Sequence, residues 1–126
     1  SVNFLNNTFY KVCYDKQWAN YSGFAGRSNV YWNMKENIFV DCGNGEVARR
    51  FLGGRSNQPT ATFNLNTYWY NGAFSEKEKD YDTGTILQSD PQLKDPENGD
   101  FTVQGTEQLN ARTGDPRWLP EISEIE

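Results

Sequence analysis

A chain of 126 residues has the size of one domain, and its 15% of aromatic residues supplies large side chains for a core, which argues against disorder. A net charge of -5 without a lysine- or arginine-rich stripe argues against nucleic acid as a partner, and no apolar run approaches the roughly 20 residues of a membrane span. Histidine is absent, which removes the commonest general base, its nucleophile pairs and imidazole metal ligands.

Three segments of the chain repeat one pattern around an asparagine. Asn7, Asn37 and Asn66 follow one another at nearly equal intervals, the second interval being one position shorter than the first. An apolar residue lies five positions before each asparagine, another lies three before it, and an aromatic residue lies two after it. In the same order these are Val2, Trp32 and Ala61, then Phe4, Met34 and Phe63, then Phe9, Phe39 and Tyr68. A repeat of this length without an amphipathic helix predicts stacked β-strand units, an all-β solenoid.

The repeated asparagines have a structural interpretation. Asparagine tolerates the left-handed backbone region at a bend, and its amide can bond the same amide in the next coil. We therefore expect Asn7, Asn37 and Asn66 to form a ladder. A β-sandwich, in which the three are ordinary turn residues, is the alternative fold.

Cys13 and Cys42 are also one repeat apart, separated by the same interval as Asn37 and Asn66. Adjacent coils would bring them within range of a disulfide, but their offsets from the preceding asparagine differ by one position, so a bridge needs a bulge. Two buried thiols are the alternative. Without histidine as a partner, thiol catalysis is disfavoured.

A second repeat points to a binding surface. The tetrapeptide Gly-Arg-Ser-Asn occurs at 26–29 and at 54–57, which would place Arg27 and Arg55 about 5 Å apart on successive coils. Two such guanidinium groups can grip uronate carboxylates, with Arg49 and Arg50 near them in the connecting loop. The alternative is that these arginines pair with local carboxylates or are solvated at a turn.

Aromatic residues in long connections and in the third copy are further candidates for sugar contact. The loops over 14–29 and 43–60 exceed bare turns, and aromatic faces stack on sugar C–H faces. The first loop contains Trp18, Tyr21 and Phe24. The same composition suits a loop that packs its own aromatics on the solenoid. Trp69 and Tyr70 are adjacent, so strand alternation requires one of them to face outward.

The segment after the third copy, 76–82, alternates in charge. A calcium site with Asp80 and Asp82 ahead of Gly84 is one interpretation, although the spacing of a full calcium loop is missing. The other interpretation is a solvated charged loop. We expect no metal site and no cofactor.

The last third of the chain contains three short motifs. They are Asp90-Pro91-Gln92-Leu93-Lys94-Asp95, Asn98-Gly99-Asp100-Phe101-Thr102-Val103 and Gly114-Asp115-Pro116-Arg117-Trp118. Together with the asparagine repeats they resemble the C-terminal part of pectate-lyase-like β-helix proteins of gut Bacteroidetes. The sequence departs from that pattern at 106–112, where relatives carry a Ser-Pro and an Ile-Asp-Ala-Gly stretch.

The resemblance implies a right-handed parallel β-helix in a single domain over 1–126, with about three coils over 1–85 and a C-terminal cap over 86–126. A solenoid leaves the interior of its last coil open, so this segment should plug it. The suitable plugs are Leu93, Phe101, Val103 and Trp118. No equivalent cap precedes Val2, and we expect further N-terminal coils or a second copy of the chain to cover that end.

The resemblance also implies an exported protein linked to polysaccharide use, at the cell surface, in the periplasm or outside the cell. Because no complete catalytic site is visible, we expect a non-catalytic carbohydrate-binding or structural module of a glycan-processing protein. Its partner would be a polysaccharide or oligosaccharide, with uronate-containing glycans as candidates. The alternative is the C-terminal fragment of a polysaccharide lyase or hydrolase whose active site lies outside this chain.

Overall fold

The computed structural model describes residues 2–16, 31–49 and 60–121, which are built mostly of short β-strands. The strands are β1 (Val2–Leu5), β2 (Thr8–Tyr10), β3 (Tyr31–Lys35), β4 (Ile38–Val40), β5 (Thr60–Asn64), β6 (Asn66–Tyr70), β7 (Ala73–Phe74), β8 (Ile86–Leu87), β9 (Leu93–Asp95) and β10 (Asp100–Val103). Short 3-10 helices cover Gly43–Gly45, Glu76–Asp80, Pro96–Asn98 and Pro116–Trp118. The all-β prediction is confirmed. One short α-helix, α1 (Thr106–Ala111), was not predicted.

Two parallel sheets contain the three repeat copies. The first sheet has the order β1-β3-β5, and the second is built on β2-β4-β6. The register pairs Phe4 with Met34 and Met34 with Phe63 in the first sheet. The predicted repeat register is therefore confirmed strand by strand. The short β8 adds a further parallel strand beside β6, and β7 pairs with β6 antiparallel.

A sharp bend joins the two strands of each copy. The residue with left-handed backbone is Asn6, Glu36 or Leu65, with φ of 54°, 59° and 57°. The prediction that the repeated asparagines themselves take this conformation is therefore wrong by one position. The asparagine follows the bend, and in the first two copies its backbone N–H and its side-chain amide both donate along the stack. These bonds offset the cost of the left-handed backbone at the preceding residue.

The asparagine ladder is present. Asn7 donates from N and Nδ2 to Asn37 Oδ1 at 3.0 and 3.1 Å, and Asn37 donates in the same way to Asn66 Oδ1 at 3.0 and 3.1 Å. Asn37 and Asn66 are fully buried. The ladder ends at a carboxylate, because Asp82 Oδ2 accepts from Asn66 Nδ2 at 3.4 Å and from the Tyr68 hydroxyl at 2.7 Å.

The core between the sheets is a stack of aromatic rings. The centroids of Phe9 and Phe39 lie 4.9 Å apart, and those of Phe39 and Tyr68 lie 5.3 Å apart, with nearly parallel ring planes. Such stacks add to the stabilisation from burial. Beyond the third copy, Tyr81 and Ile86 pack against this core.

The closing segment packs differently from the prediction. Val103 is fully buried, but it contacts Ile38 and Val40 on the outer face of the second sheet. Leu93 packs into the same outer cluster, whereas Phe101 and Trp118 form an edge-to-face pair with centroids 5.5 Å apart. The prediction that these residues plug the interior of the last coil is therefore wrong. The physical reason is that β4 is apolar on both faces, so its outer face also needs cover.

The two cysteines do not form a disulfide. Cys42 is buried, and desolvation raises the pKa of its thiol to about 12. Cys13 is exposed and has a left-handed backbone with φ of 51°. The predicted disulfide, which would need a bulge to correct the offset of one position, is therefore absent. The alternative prediction of two buried thiols is right for Cys42 and wrong for Cys13.

Candidate ligand-binding groove

The outer face of the second sheet carries two columns of side chains. Because neighbours along a strand alternate, the inward stack of Phe9, Phe39 and Tyr68 leaves the residues before and after it pointing outward. The strand register aligns them across β2, β4 and β6. The first column is Thr8, Ile38 and Thr67, and the second column is Tyr10, Val40 and Trp69.

The closing segment lies across the first column. Gln108 Nε2 donates to Thr67 Oγ1 at 3.1 Å, and the backbone N–H of Asp115 donates to Thr8 Oγ1 at 2.9 Å. Gly114 has φ of 87° and approaches Ile38 so closely that a Cβ there would lie 2.8 Å from Ile38 Cδ1. Only glycine meets both conditions. The first column is thus covered along its length.

The second column is only partly covered and forms the floor of a groove, because Val40 is buried beside Val103 whereas Tyr10 and Trp69 are half-buried. One wall is the corner after β4 and β6, with Asp41 and Gly72, and the other wall is the segment 90–93 together with Pro96. The groove has a volume of about 270 Å³. This is just below the range of about 300–1,000 Å³ for pockets that hold drug-sized ligands. The size suits a ligand of one or two rings.

Two aspartates at the groove walls are held by backbone hydrogen bonds. A second row of left-handed corners, Lys11, Asp41 and Asn71 with φ of 54°, 55° and 51°, turns the chain after β2, β4 and β6. Asp41 Oδ1 accepts from the Asn71 N–H at 2.8 Å, and Asp90 Oδ1 accepts from the Gln92 N–H at 2.7 Å. Among the described residues, neither Oδ2 atom has a hydrogen-bond partner. Each carboxylate therefore keeps an acceptor for a ligand.

An ion pair stands at the end of the groove next to Tyr10. Lys11 Nζ lies 2.7 Å from Glu97 Oε1 and 5.4 Å from the centre of the Tyr10 ring. The hydrogen bond between them raises the pKa of Lys11 and lowers that of Glu97. Desolvation and the nearby Glu97 raise the pKa of the Tyr10 hydroxyl, which stays neutral and can donate a hydrogen bond.

The structure decides between the two adjacent aromatic candidates. Trp69 faces outward and lines the groove. Tyr70 does not line it, because its ring stacks on Tyr14 at 5.3 Å and its hydroxyl donates to the Tyr14 carbonyl at 2.7 Å. Strand alternation predicted that one of the pair faces outward, but not which one.

Arg49 is placed by local contacts. Its Nη1 atom lies 3.2 Å from Glu46 Oε2, and its guanidinium lies 5.8 Å from the centre of the Tyr81 ring. This agrees with the alternative in which the arginines pair with local carboxylates. The other loop candidates, Arg27, Arg50, Arg55, Trp18 and Tyr21, lie outside the described residues.

The charged segment after the third copy holds buried carboxylates that the sequence did not predict. Glu78 is fully buried, and its two oxygens accept from the N–H groups of Val47 and Ala48 at 2.7 and 2.8 Å. Burial raises the pKa of Glu78 to about 8 against the effect of these hydrogen bonds. The interpretation of a solvated loop is wrong for Glu78 and Asp82, and nothing in the alternating charges signals it.

The calcium interpretation finds no support in the geometry. Asp80 is exposed, whereas Asp82 is engaged by Tyr68, Asn66 and the Gly84 N–H. Within residues 2–16, 31–49 and 60–121, no group of three or more Cys, Asp and Glu side chains is arranged to hold a metal ion.

Comparisons with known proteins give one family. The model of a family described as a domain of unknown function (DUF5123) matches residues 2–118. No curated protein and no solved structure matches the chain. In the described part of the chain, no helix has the length and apolar character needed to cross a membrane.

Proposed function

Since the chain belongs to the DUF5123 family, a domain of unknown function, we propose a function from its own geometry: a non-catalytic carbohydrate-binding module whose groove takes a short neutral oligosaccharide. The observation that carries the proposal is the groove over Tyr10, Val40 and Trp69, in which the two aromatic rings stay half-buried beside a column that the closing segment covers.

The floor and walls of the groove offer the two kinds of contact that sugars use. The rings of Tyr10 and Trp69 lie on strands two spacings apart, or about 10 Å, with the aliphatic Val40 between them. Such a surface packs on the apolar C–H faces of sugar rings. Asp41 and Asp90 supply carboxylate oxygens that accept hydrogen bonds from hydroxyl groups.

The charge of the groove selects among glycans. Asp41 and Asp90 line it, and Lys11, which lies beside Tyr10, already pairs with Glu97. A uronate carboxylate would meet like charges there, which raises the cost of binding. The expectation of uronate binding rests on Arg27 and Arg55, outside the described residues, so the groove itself favours a neutral glycan.

The fold proposed for the whole chain is a right-handed parallel β-helix ended by the closing segment. Its support is the parallel register of three copies, the nearly equal spacing of the repeated asparagines and two rows of left-handed corners. The likeness of the last third to pectate-lyase-like proteins of gut Bacteroidetes supports an exported, glycan-processing parent. The module would then work at the cell surface, in the periplasm or outside the cell.

A second candidate function is the C-terminal part of a polysaccharide lyase or hydrolase. The observation that favours it is that β1 and β2 are edge strands among the described residues. Further coils that carry an active site could therefore pair with these two strands. Activity of such a parent, with none in this chain alone, would distinguish it from the binding module.

Replacing Trp69 with alanine is expected to weaken binding of a neutral oligosaccharide at least tenfold, about 1.4 kcal/mol, because buried aromatic anchors dominate such interfaces. Isothermal titration calorimetry against neutral and uronate-containing oligosaccharides, at low and high salt, measures it. The matched control is Tyr31→Ala, which removes an aromatic side chain that is 54% exposed on the first sheet.

The control variant should bind as the unchanged protein does, and near-UV circular dichroism should show both variants folded. Two results would contradict the proposal. One is that the unchanged chain binds none of the neutral glycans, and the other is that Trp69→Ala binds them equally well.

A further inference from the structure

The two sheets end on the same side of the stack, at the first repeat copy. Among the described residues, β1 and β2 each pair with one neighbour, β3 and β4, and no strand lies against their other edge. Apolar side chains at this end are exposed, with Val2 38%, Leu5 48% and Val12 37% accessible. Edge strands with accessible apolar side chains are surfaces on which a further strand can add.

The ladder shows which groups of this edge lack a partner. Asn37 uses its side chain completely: Oδ1 accepts twice from Asn7, and Nδ2 donates to Asn66 Oδ1 and, at 2.8 Å, to the Phe4 carbonyl. Asn66 likewise donates from Nδ2 to the Met34 carbonyl at 2.7 Å. Asn37 and Asn66 thus each donate to a carbonyl of the preceding copy, that of the residue three positions before the asparagine of that copy.

Asn7 makes only part of this set. It donates from N and Nδ2 to Asn37 Oδ1. Among the described residues, its own Oδ1 accepts no hydrogen bond, and its second amide hydrogen has no carbonyl partner. The missing partner is therefore defined chemically: an asparagine that donates from its backbone and side-chain nitrogens, and a carbonyl three positions before it.

The outer side of the first sheet adds a second point of recognition. Asn33 Nδ2 donates to Asn3 Oδ1 at 2.7 Å, so an exposed amide pair runs parallel to the buried ladder. Asn3 Nδ2 has no acceptor among the described residues. An added strand with an oxygen-bearing side chain four positions before its asparagine would continue this row, since Asn3 and Asn33 both hold that position.

We propose that the β1/β2 edge binds a further strand–corner–strand unit with an asparagine directly after its corner, parallel to β1 and β2 and in the register of the repeat. Its asparagine bonds Asn7, an apolar residue lies three positions before it and an aromatic residue two after it. This inference rests on the edge alone and is independent of the groove.

A second copy of this chain in two-fold contact does not supply the complete set of these groups. Two-fold pairing would run β1 against its counterpart in the antiparallel sense. The backbone N–H of Asn7 in each copy already donates to Asn37 of its own chain. A head-to-head dimer therefore offers Asn7 Oδ1 only the remaining amide hydrogen of its counterpart, whereas a parallel unit provides both a backbone and a side-chain donor.

An extended chain tests the proposal. Residues 31–60, repeated directly ahead of Ser1, place the copied asparagine as far before Asn7 as Asn7 lies before Asn37, which matches the natural spacing. The matched control carries alanine in place of that copied asparagine. Amide hydrogen exchange and the side-chain amide resonances of Asn7 are followed by NMR in the original, the extended and the control chains.

The expected result is that exchange of the β1 and β2 amides slows at least tenfold in the extended chain, with a shifted Asn7 side-chain resonance, and that the control loses most of both effects. Equal exchange in the original and extended chains would overturn the proposal, as would equal protection by the control. If the extension does not fold, a synthetic peptide of residues 31–42 and its Asn37→Ala form are added to the original chain. The Asn7 resonance must then respond to the first peptide and not to the second.

Sedimentation of the original chain tests whether a second copy of the chain occupies the β1/β2 edge instead. If the chain forms a dimer in which the β1 and β2 amides are protected, a second copy occupies the edge and the proposal of a parallel unit is wrong. A monomer in which the β1 and β2 amides exchange freely supports it.

Discussion

Replacing Asn37 with alanine is expected to lower the free energy of unfolding by about 3 kcal/mol, because it removes the centre of the buried ladder. The side chain makes four hydrogen bonds, and its loss leaves the Asn7 N–H and the Phe4 carbonyl without those partners. A buried polar group without a partner costs about 1–3 kcal/mol. Urea denaturation followed by tryptophan fluorescence measures the change.

The chain contains a matched control for this variant. Asn33 lies in the same copy and also bonds an asparagine of the preceding one, Asn3 at 2.7 Å, but that bond is exposed to water. Asn33→Ala is expected to cost less than about 0.5 kcal/mol, as surface substitutions usually do. If the two variants lose similar amounts of unfolding free energy, burial does not determine how much the ladder contributes to stability.

Replacing Glu78 with alanine is expected to cost about 3 kcal/mol as well, because the N–H groups of Val47 and Ala48 would lose both acceptors in a site closed to water. The control is Glu76→Ala in the same 3-10 helix, where the side chain is exposed and pairs only with Lys79 at 3.2 Å among the described residues. The control should leave the free energy of unfolding unchanged within error. A stable Glu78→Ala variant would contradict the role assigned to this carboxylate.

Glu78 also predicts how stability depends on pH. Burial raises its pKa from 4.5 to about 8, and burial also raises the pKa of Asp82. The folded protein therefore binds more protons than the unfolded chain between these values, and stability falls as the pH rises from about 5 to 8. Glu78→Gln, which cannot titrate, should flatten this dependence. Stability that rises over the same range would contradict the raised pKa.

The repeat made most of the fold predictable. The spacing of Asn7, Asn37 and Asn66 set the strand register, because a ladder forces equal positions to stack. The bend itself was misplaced by one position. Leu65 is a poor candidate for left-handed backbone by its intrinsic preference. Hydrogen bonds stabilise it there: its own N–H donates to the Thr85 carbonyl at 2.6 Å, and the neighbouring Asn66 accepts from Asn37.

The groove was predictable only in part. Tyr10 and Trp69 both lie three positions after a repeated asparagine, so the repeat alone places them in one column. Tyr10 and Trp69 stay half-buried because the closing segment lies mainly on the first column, and that path depends on contacts such as Gly114 against Ile38. The segment has no periodicity from which its path could be read. The burial of Glu78 could not be predicted either, because alternating charges usually indicate a solvated loop.

An NMR titration of the unchanged chain with a neutral oligosaccharide locates the ligand directly. The expected result is a saturable shift of the Trp69 indole N–H together with the backbone amides of Tyr10 and Asp41 and those of Asp90, Gln92 and Leu93, which line the groove. The resonances of Tyr31 and Arg49, away from the groove, should stay in place. Shifts that avoid Trp69 and residues 90–93, or no shift with any neutral glycan, would show that the groove is not a carbohydrate site.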